Sequence, residues 1–225
     1  MGIAPSLICA DLCNLERDVE QMSAIGCRML HVDIIDGYFS PSMPIGLDTV
    51  RQLRGKTSLI FDVHVMAKSC AYFIDELLDI GAERVCFQIE SEPTPSILLQ
   101  RIRHHGAEAG IALAPSTPVR ALEYLIEECN HVLLMQIDPG YASLCGTEKR
   151  PYMERKITEL RELIAARNPA ATIEIDGRVS VEDMPALKKL GVSTFVSGTG
   201  GFFRKDHTWE ENWACMLAAL KDTEA

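Results

Sequence analysis

Apolar and polar positions follow two alternating rhythms along this chain. Short β-rich apolar runs recur at 3–9, 28–34, 58–65, 84–89, 110–114, 131–137, 172–176 and 193–197. Between them the spacing changes to the three-and-four of an amphipathic helix: Leu15, Val19 and Met22; Ile74, Leu77 and Leu78; Ile157, Leu160 and Leu163; Ala186, Leu187 and Leu190. Gly26, Gly81, Gly106 and Gly191 stand where a helix must end before the next strand. Strict alternation of strand and helix predicts a parallel sheet with right-handed crossovers. Eight units with no obvious linker predict an α/β fold, a (β/α)8 TIM barrel, with residues 1–225 as a single domain. An open doubly wound sheet is the alternative. It usually carries a glycine-rich fingerprint after its first strand, and the segment ICADLCN at 8–14 has none.

Composition narrows this further. Hydrophobic residues make up 47% of the 225, enough for a large core. No apolar run approaches the roughly 20 residues of a bilayer span, and the amino-terminal segment lacks a basic start and a long apolar stretch. A cytoplasmic protein with no membrane association is expected. The net charge of −10, with lysine and arginine scattered, argues against nucleic acid as a partner. It leaves an anionic small molecule open, because backbone N–H groups bind phosphate locally. Eight cysteines (9, 13, 27, 70, 86, 129, 145 and 215) form no CxxC pair and read as reduced thiols, mostly in the core. Cys9 and Cys13 as metal ligands are the weaker reading, since strand-end and helix-start residues surround them.

In a barrel of this kind, chemistry gathers where strands end at the carboxyl face. Ser6, His31, Asp33, His64, Gln136, Asp138, Asp176 and Ser197 fall at such ends. Strand side chains alternate, so His31 and Asp33 of HVDIIDG share one face, as do Asp62 and His64 of FDVHV. Single residues of these types are commonly satisfied core histidines or turn-forming aspartates, and Asp36-Gly37 is expected to be such a turn. Convergence of four at one mouth favours a site. Two imidazoles and two carboxylates suit one divalent ion, Zn, Fe, Mn or Co. Asp62 and Glu174 lie one layer deeper on the same faces. One or both are expected to accept N–H bonds from the ligand histidines. Gly177 and the run Ser197-Gly198-Thr199-Gly200-Gly201 follow strands seven and eight, where barrels bind phosphate through accessible N–H groups.

With these motifs in hand, the chain resembles the ribulose-phosphate 3-epimerase family over nearly its full length. The matching segments are PSLICADL (5–12), HVDIIDGYFSPS (31–42), DVHVM (62–66), APSTP (114–118), LLMQIDPG (133–140), EIDG (174–177) and VSGTGGFF (196–203). The resemblance implies one divalent metal ion held by His31, Asp33, His64 and Asp176. It implies Asp33 and Asp176 as the catalytic acid–base pair, and a ketose phosphate substrate touched by Ser6, His64, Gly140, Gly177, Gly198 and Thr199. It further implies a homo-oligomer. The implied reaction is inversion at C3, beside the C2 carbonyl, through an enediolate that a metal stabilises as a Lewis acid. Met66 and Met135 are expected either to form a polarizable wall beside that intermediate or simply to fill the core.

The chain departs from the family pattern around the substrate. DPGYASLCG at 138–146 replaces NPGFGGQ, in a loop about three residues longer. Arg178 replaces a glycine after strand seven and is expected either to contact phosphate or to narrow the site. Ile35 replaces a methionine, Gln88 a histidine and Ser42 an asparagine. The ending SGTGGFF with DPG is similar to the allulose-6-phosphate 3-epimerase branch, so a hexulose and a pentulose phosphate both stay open. A divergent barrel of the same ancestry that binds a sugar phosphate without turning it over is the alternative. A Schiff-base aldolase needs a lysine at the mouth, and the nearest, Lys68, reads as a solvated loop residue.

Overall fold

Eight parallel strands wind into a barrel in this computed structural model, which describes residues 2–141 and 148–221. They are β1 (Gly2–Pro5), β2 (Met29–Ile35), β3 (Ile60–Met66), β4 (Arg84–Gln88), β5 (Glu108–Leu113), β6 (His131–Met135), β7 (Thr172–Asp176) and β8 (Val192–Ser197). The hydrogen-bonded order β1-β8-β7-β6-β5-β4-β3-β2 leaves only β1 and β2 without a ladder between them. A single parallel bridge, Ser6 to His31, closes that gap. The open doubly wound alternative is thereby set aside.

Helices α1 (Leu15–Ile25), α2 (Leu47–Arg54), α3 (Cys70–Ile80), α4 (Pro95–His104), α5 (Met153–Arg167), α6 (Met184–Leu190) and α7 (Trp209–Lys221) follow every strand but β5. After β5, Pro115 and Pro118 occupy the start of the connection, and two 3-10 turns, Val119–Leu122 and Ile126–Glu128, replace an eighth α-helix. The first apolar run is also shorter as a strand than expected. At Ser6 the chain leaves β1, and the N–H groups of Cys9 and Ala10 donate to Ser6 and Leu7 carbonyls in a 3-10 turn over the barrel mouth. The end-of-helix glycines behave as expected: Gly26, Gly81, Gly106 and Gly191 all have positive φ. Asp36 is the expected turn former, accepting from the N–H groups of Tyr38, Phe39 and Lys68 and so tying the loop after β2 to the loop after β3.

The main core lies between the outer strand faces and the helices. Val32, Ile34, Phe61, Val63, Phe87, Ile111, Leu134 and Phe195 pack there with Val19, Met22, Ile74, Leu77, Leu99 and Leu160. Each such side chain, fully buried, contributes roughly 1.5–3 kcal/mol. In α6 the buried stripe runs through Met184 and Leu187, while Ala186 is exposed. Inside the barrel, a small apolar cluster of Cys86, Ala112, Leu133, Met135 and Val196 occupies one side. The other side is polar. Among the described residues no helix is long and apolar enough to cross a membrane.

Candidate metal centre and active site

Parallel pairing of β2 and β3 sets His31 beside Asp62 and, two residues on, Asp33 beside His64. Both pairs face the barrel interior. Asp176 arrives from β7, where it pairs with Met135. One ligand-competent atom from each of His31, Asp33, His64 and Asp176 lies within 4.8 Å of the other three. The four residues singled out from the sequence therefore converge.

The state of the imidazoles tests whether an ion fits. Asp62 Oδ2 lies 2.8 Å from His31 Nδ1, so Nδ1–H donates downward and Nε2 is turned up, 3.4 Å from Asp33 Oδ1. His64 Nδ1 lies 3.5 Å from the same oxygen. His31 Nε2 and His64 Nδ1 are both buried and have no hydrogen-bond partner among the described residues. Buried nitrogens without partners are costly, and a cation between them and the carboxylates satisfies both. On its far side His64 Nε2 is 2.9 Å from the Gln88 amide nitrogen, while Gln88 Oε1 has no partner. A half-turn of that amide presents Oε1 to His64 Nε2–H and leaves Nδ1 with a lone pair for a metal.

Charge on the two aspartates is split. Burial works to raise Asp33, but the imidazoles of His31 and His64 outweigh it and hold the carboxyl well below its usual range. The Ser6 hydroxyl donates to Asp33 Oδ2 at 2.9 Å and fixes its orientation. Asp176 moves the other way. Burial first, then the charge of Asp33, pushes it above the usual carboxylate value, against the Gly177 N–H that donates to its Oδ1 at 2.6 Å. The two carboxyls are thus biased in opposite directions, Asp33 toward its ionised form and Asp176 away from it.

Above the cluster opens a cavity of about 330 Å³ lined by Ser6, Asp33, Met66, Met135, Gly140, Asp176, Gly177, Arg178, Gly198 and Thr199, among others. Every residue expected at the substrate reaches this cavity except His64, which is fully buried beneath it. Arg178 is the one cation among the described lining residues, and it sits at φ +53°, a left-handed conformation in a non-glycine residue. Gly177 leaves no room for a side chain, since a Cβ would stand 2.9 Å from Ile137 Cγ1. Gly140, at φ +78°, packs onto Ser40 so closely that a Cβ would overlap its hydroxyl. The thiol of Cys9 also faces the cavity. Burial, then Asp33 and Asp176, pushes it up to about 11, which disfavours a thiolate ligand.

Other strand-end residues serve structure. Gln136 donates to the Gly177 carbonyl, Ser197 turns outward and accepts from Phe202 N–H, and Asp138 pairs with Arg150 at 2.5 Å. Residues 142–146 of the altered loop, Cys145 included, lie outside the described residues. The seven described cysteines are free, and Cys27, Cys70, Cys86 and Cys129 are buried.

Asp62 is the expected acceptor for a ligand histidine. Glu174 is not: it lies 3.7 Å from His31 Nδ1 and instead meets Arg84, with Oε2 at 3.1 Å from Nη2. Arg84 and His131, both buried inside the barrel, escaped the sequence reading, and Gln88 was singled out only as a departure from the family pattern. Strand parity carried the missing signal, because Arg84, Cys86 and Gln88 of β4 share the face that pairs with Asp62 and His64.

Comparison with known proteins gives a consistent result. Residues 2–202 match the model of the ribulose-phosphate 3 epimerase family. Ribulose-phosphate 3-epimerase of Treponema pallidum is 34% identical over 200 residues, covering 89% of this chain and 90% of that protein. The same-named protein of Rhodobacter capsulatus is 31% identical over 219 residues, covering 97% and 93%. That of Schizosaccharomyces pombe is 34% identical over 203 residues, covering 89% and 86%. The crystal structure of 3-keto-L-gulonate-6-phosphate decarboxylase from Vibrio cholerae superposes with a TM-score of 0.72 at 13% identity, covering 100% of this chain and 99% of that one, a likeness of fold alone.

Proposed function

Because the chain belongs to the ribulose-phosphate 3-epimerase family, carbohydrate-directed isomerases, we propose that it interconverts the C3 epimers of a ketose phosphate by two-carboxylate acid–base catalysis. One observation carries the reading: two orphaned imidazole nitrogens and two oppositely biased carboxyls meet at the floor of one cavity. His31, Asp33, His64 and Asp176 are the residues that would hold a divalent cation, with Zn, Fe, Mn and Co all compatible with the donor set. When bound, such an ion supplies Lewis-acid stabilisation of the enediolate.

The chain's own groups do the rest. Asp33, held ionised and aimed by Ser6, takes the proton from C3. Asp176, biased toward its protonated form, returns one to the opposite face, and the reverse reaction exchanges the two roles. Met66 and Met135 give the reacting carbons an apolar side and exclude water from it. Arg178 with Gly198 and Thr199 faces the phosphate end, and Gly177 supplies clearance there.

The names of the relatives make ribulose 5-phosphate and xylulose 5-phosphate the first pair to assay, with allulose 6-phosphate and fructose 6-phosphate second. The test is exchange of the C3 hydrogen with solvent deuterium, followed by NMR, on the metal-stripped protein and after reloading with Zn, Fe, Mn or Co. Exchange on at least one ketose phosphate, lost on stripping and restored by reloading, is the expected result. Tight binding of these sugars by the metal-loaded protein with no exchange on any of them refutes turnover and favours the non-catalytic barrel.

A further inference from the structure

Beneath the metal cluster the barrel floor holds a set of charges that the reaction does not use. Arg84, at the start of β4, is buried and reaches two carboxylates at once. Its Nη2 donates to Glu174 Oε2 at 3.1 Å, and its Nε lies 3.4 Å from Asp62 Oδ1. A third carboxylate, Glu108, meets Nε at 3.1 Å from the half-exposed bottom rim. Asp62 in turn turns its other oxygen, Oδ2, to His31 Nδ1. The chain of contacts Arg84–Asp62–His31 therefore ends on a nitrogen of a candidate metal ligand.

Geometry gives this chain a purpose. Glu174 Oε1 stands 3.7 Å from His31 Nδ1, buried and without a hydrogen-bond partner. Asp62 and Glu174 thus flank the same N–H, and either could accept from it. Only one arrangement leaves His31 Nε2 aimed at the cluster with Asp62 as a single, fixed acceptor. The guanidinium enforces that arrangement by holding Glu174 on one prong while its charge faces Asp62 with another. A planar fork is suited to that double duty in a way that a point charge is not.

We propose that Arg84 is a positioning residue for the metal centre, acting through Asp62: it keeps Glu174 from competing with Asp62 for the His31 Nδ1–H, and so holds His31 Nε2 toward the ion. This rests on the metal reading given above. The experiment uses the full-length protein stripped of metal and titrated with Zn²⁺ or Co²⁺ against a competing chelator, with the visible Co²⁺ spectrum recorded as a report on the ligands.

Arg84→Met is expected to bind the metal about 10- to 100-fold more weakly, the scale seen when the partner of a ligand histidine is lost. The double variant Arg84→Met/Glu174→Met removes the competing carboxylate as well, an apolar replacement of a buried pair that proteins commonly tolerate. It is expected to regain wild-type affinity to within about threefold, with the wild-type Co²⁺ spectrum. Arg84→Gln keeps the hydrogen-bonding atoms without the charge, and decides the question where Arg84→Met does not fold. It too is expected to lose about 10- to 100-fold. Wild-type affinity in a folded Arg84→Met or Arg84→Gln protein overturns the proposal, and so does a folded double variant that fails to recover. Absence of metal binding by the wild-type protein would instead overturn the metal reading itself, and the proposal with it.

Discussion

Replacing Arg178 with glycine should move stability and substrate binding in opposite directions. Arg178 holds φ +53°, which costs an L-residue roughly 1–2 kcal/mol. Glycine removes that cost but adds about 0.5–1 kcal/mol of unfolded-state entropy. The net change is a gain of between zero and about 1.5 kcal/mol, and for a chain of this size each kcal/mol raises Tm by roughly 2–4 °C. Binding loses. Arg178 is the one cation among the described cavity-lining residues, in a cavity that also presents Asp33 and Asp176. A charge-assisted contact to phosphate is worth about 1.5–3 kcal/mol, so KM should rise by roughly 10- to 150-fold. The phosphate is remote from C3 and is held alike in ground and transition states, so kcat should stay within about threefold. Steady-state epimerisation at several salt concentrations, alongside thermal unfolding, reads both effects. The KM penalty should shrink as salt rises, because an exposed cation is screened. A KM within about threefold of wild type, or a clear fall in Tm, would refute the reasoning: the strained backbone would then serve the fold and not the ligand.

Asp33→Asn and Asp176→Asn should each slow C3 exchange by at least about a hundredfold, the scale of a positioned acid–base group. Metal content measured beside the rate separates lost proton transfer from a lost ligand, and near-normal turnover in either variant rejects the assigned role. His131 supplies a pH test. It is fully buried, and burial, then the nearby Arg84, pushes it down to about 3. It stays neutral in the folded barrel while the unfolded chain protonates near its ordinary value, so stability falls as pH drops from about 6.5 toward 3, by at most about 1.4 kcal/mol per unit. Urea unfolding of His131→Met should show a shallower acid-side loss over that window, and parallel curves for the two proteins would sink the assignment.

Much of the architecture was legible because a parallel barrel buries both faces of its strands and punctuates its helices with glycine. The four candidate ligands were legible for a different reason: each is a polar residue that interrupts the apolar run of a strand, and Asp176 also ends one. Arg84 and His131 do not end strands. They begin them, at the barrel floor, where a polar residue reads as the edge of a loop. Only pairing register, which depends on how β3, β4 and β5 align, shows that Arg84 points inward beside Asp62. The missing helix after β5 was hidden for a similar reason. The segment ALEYLIEECN has helical composition, yet two prolines upstream leave the chain to cross to β6 in 3-10 turns. Arg178 was visible as a departure from the family pattern, but its left-handed backbone was not, because nothing local in the sequence asks for it.

The bridge between Ser6 and His31 has a bearing on how the whole molecule comes apart. Among the described residues it is the sole backbone pairing that joins the first strand to the second, the weakest seam in an otherwise continuous wall. Ser6 also clasps Asp33, so the seam and the reaction centre share their stitches. An occupant that grips β2, β3 and β7 together would lace that seam shut. Loading the centre would then toughen the whole cylinder against unzipping, and an empty centre would fray first along the amino-terminal strand.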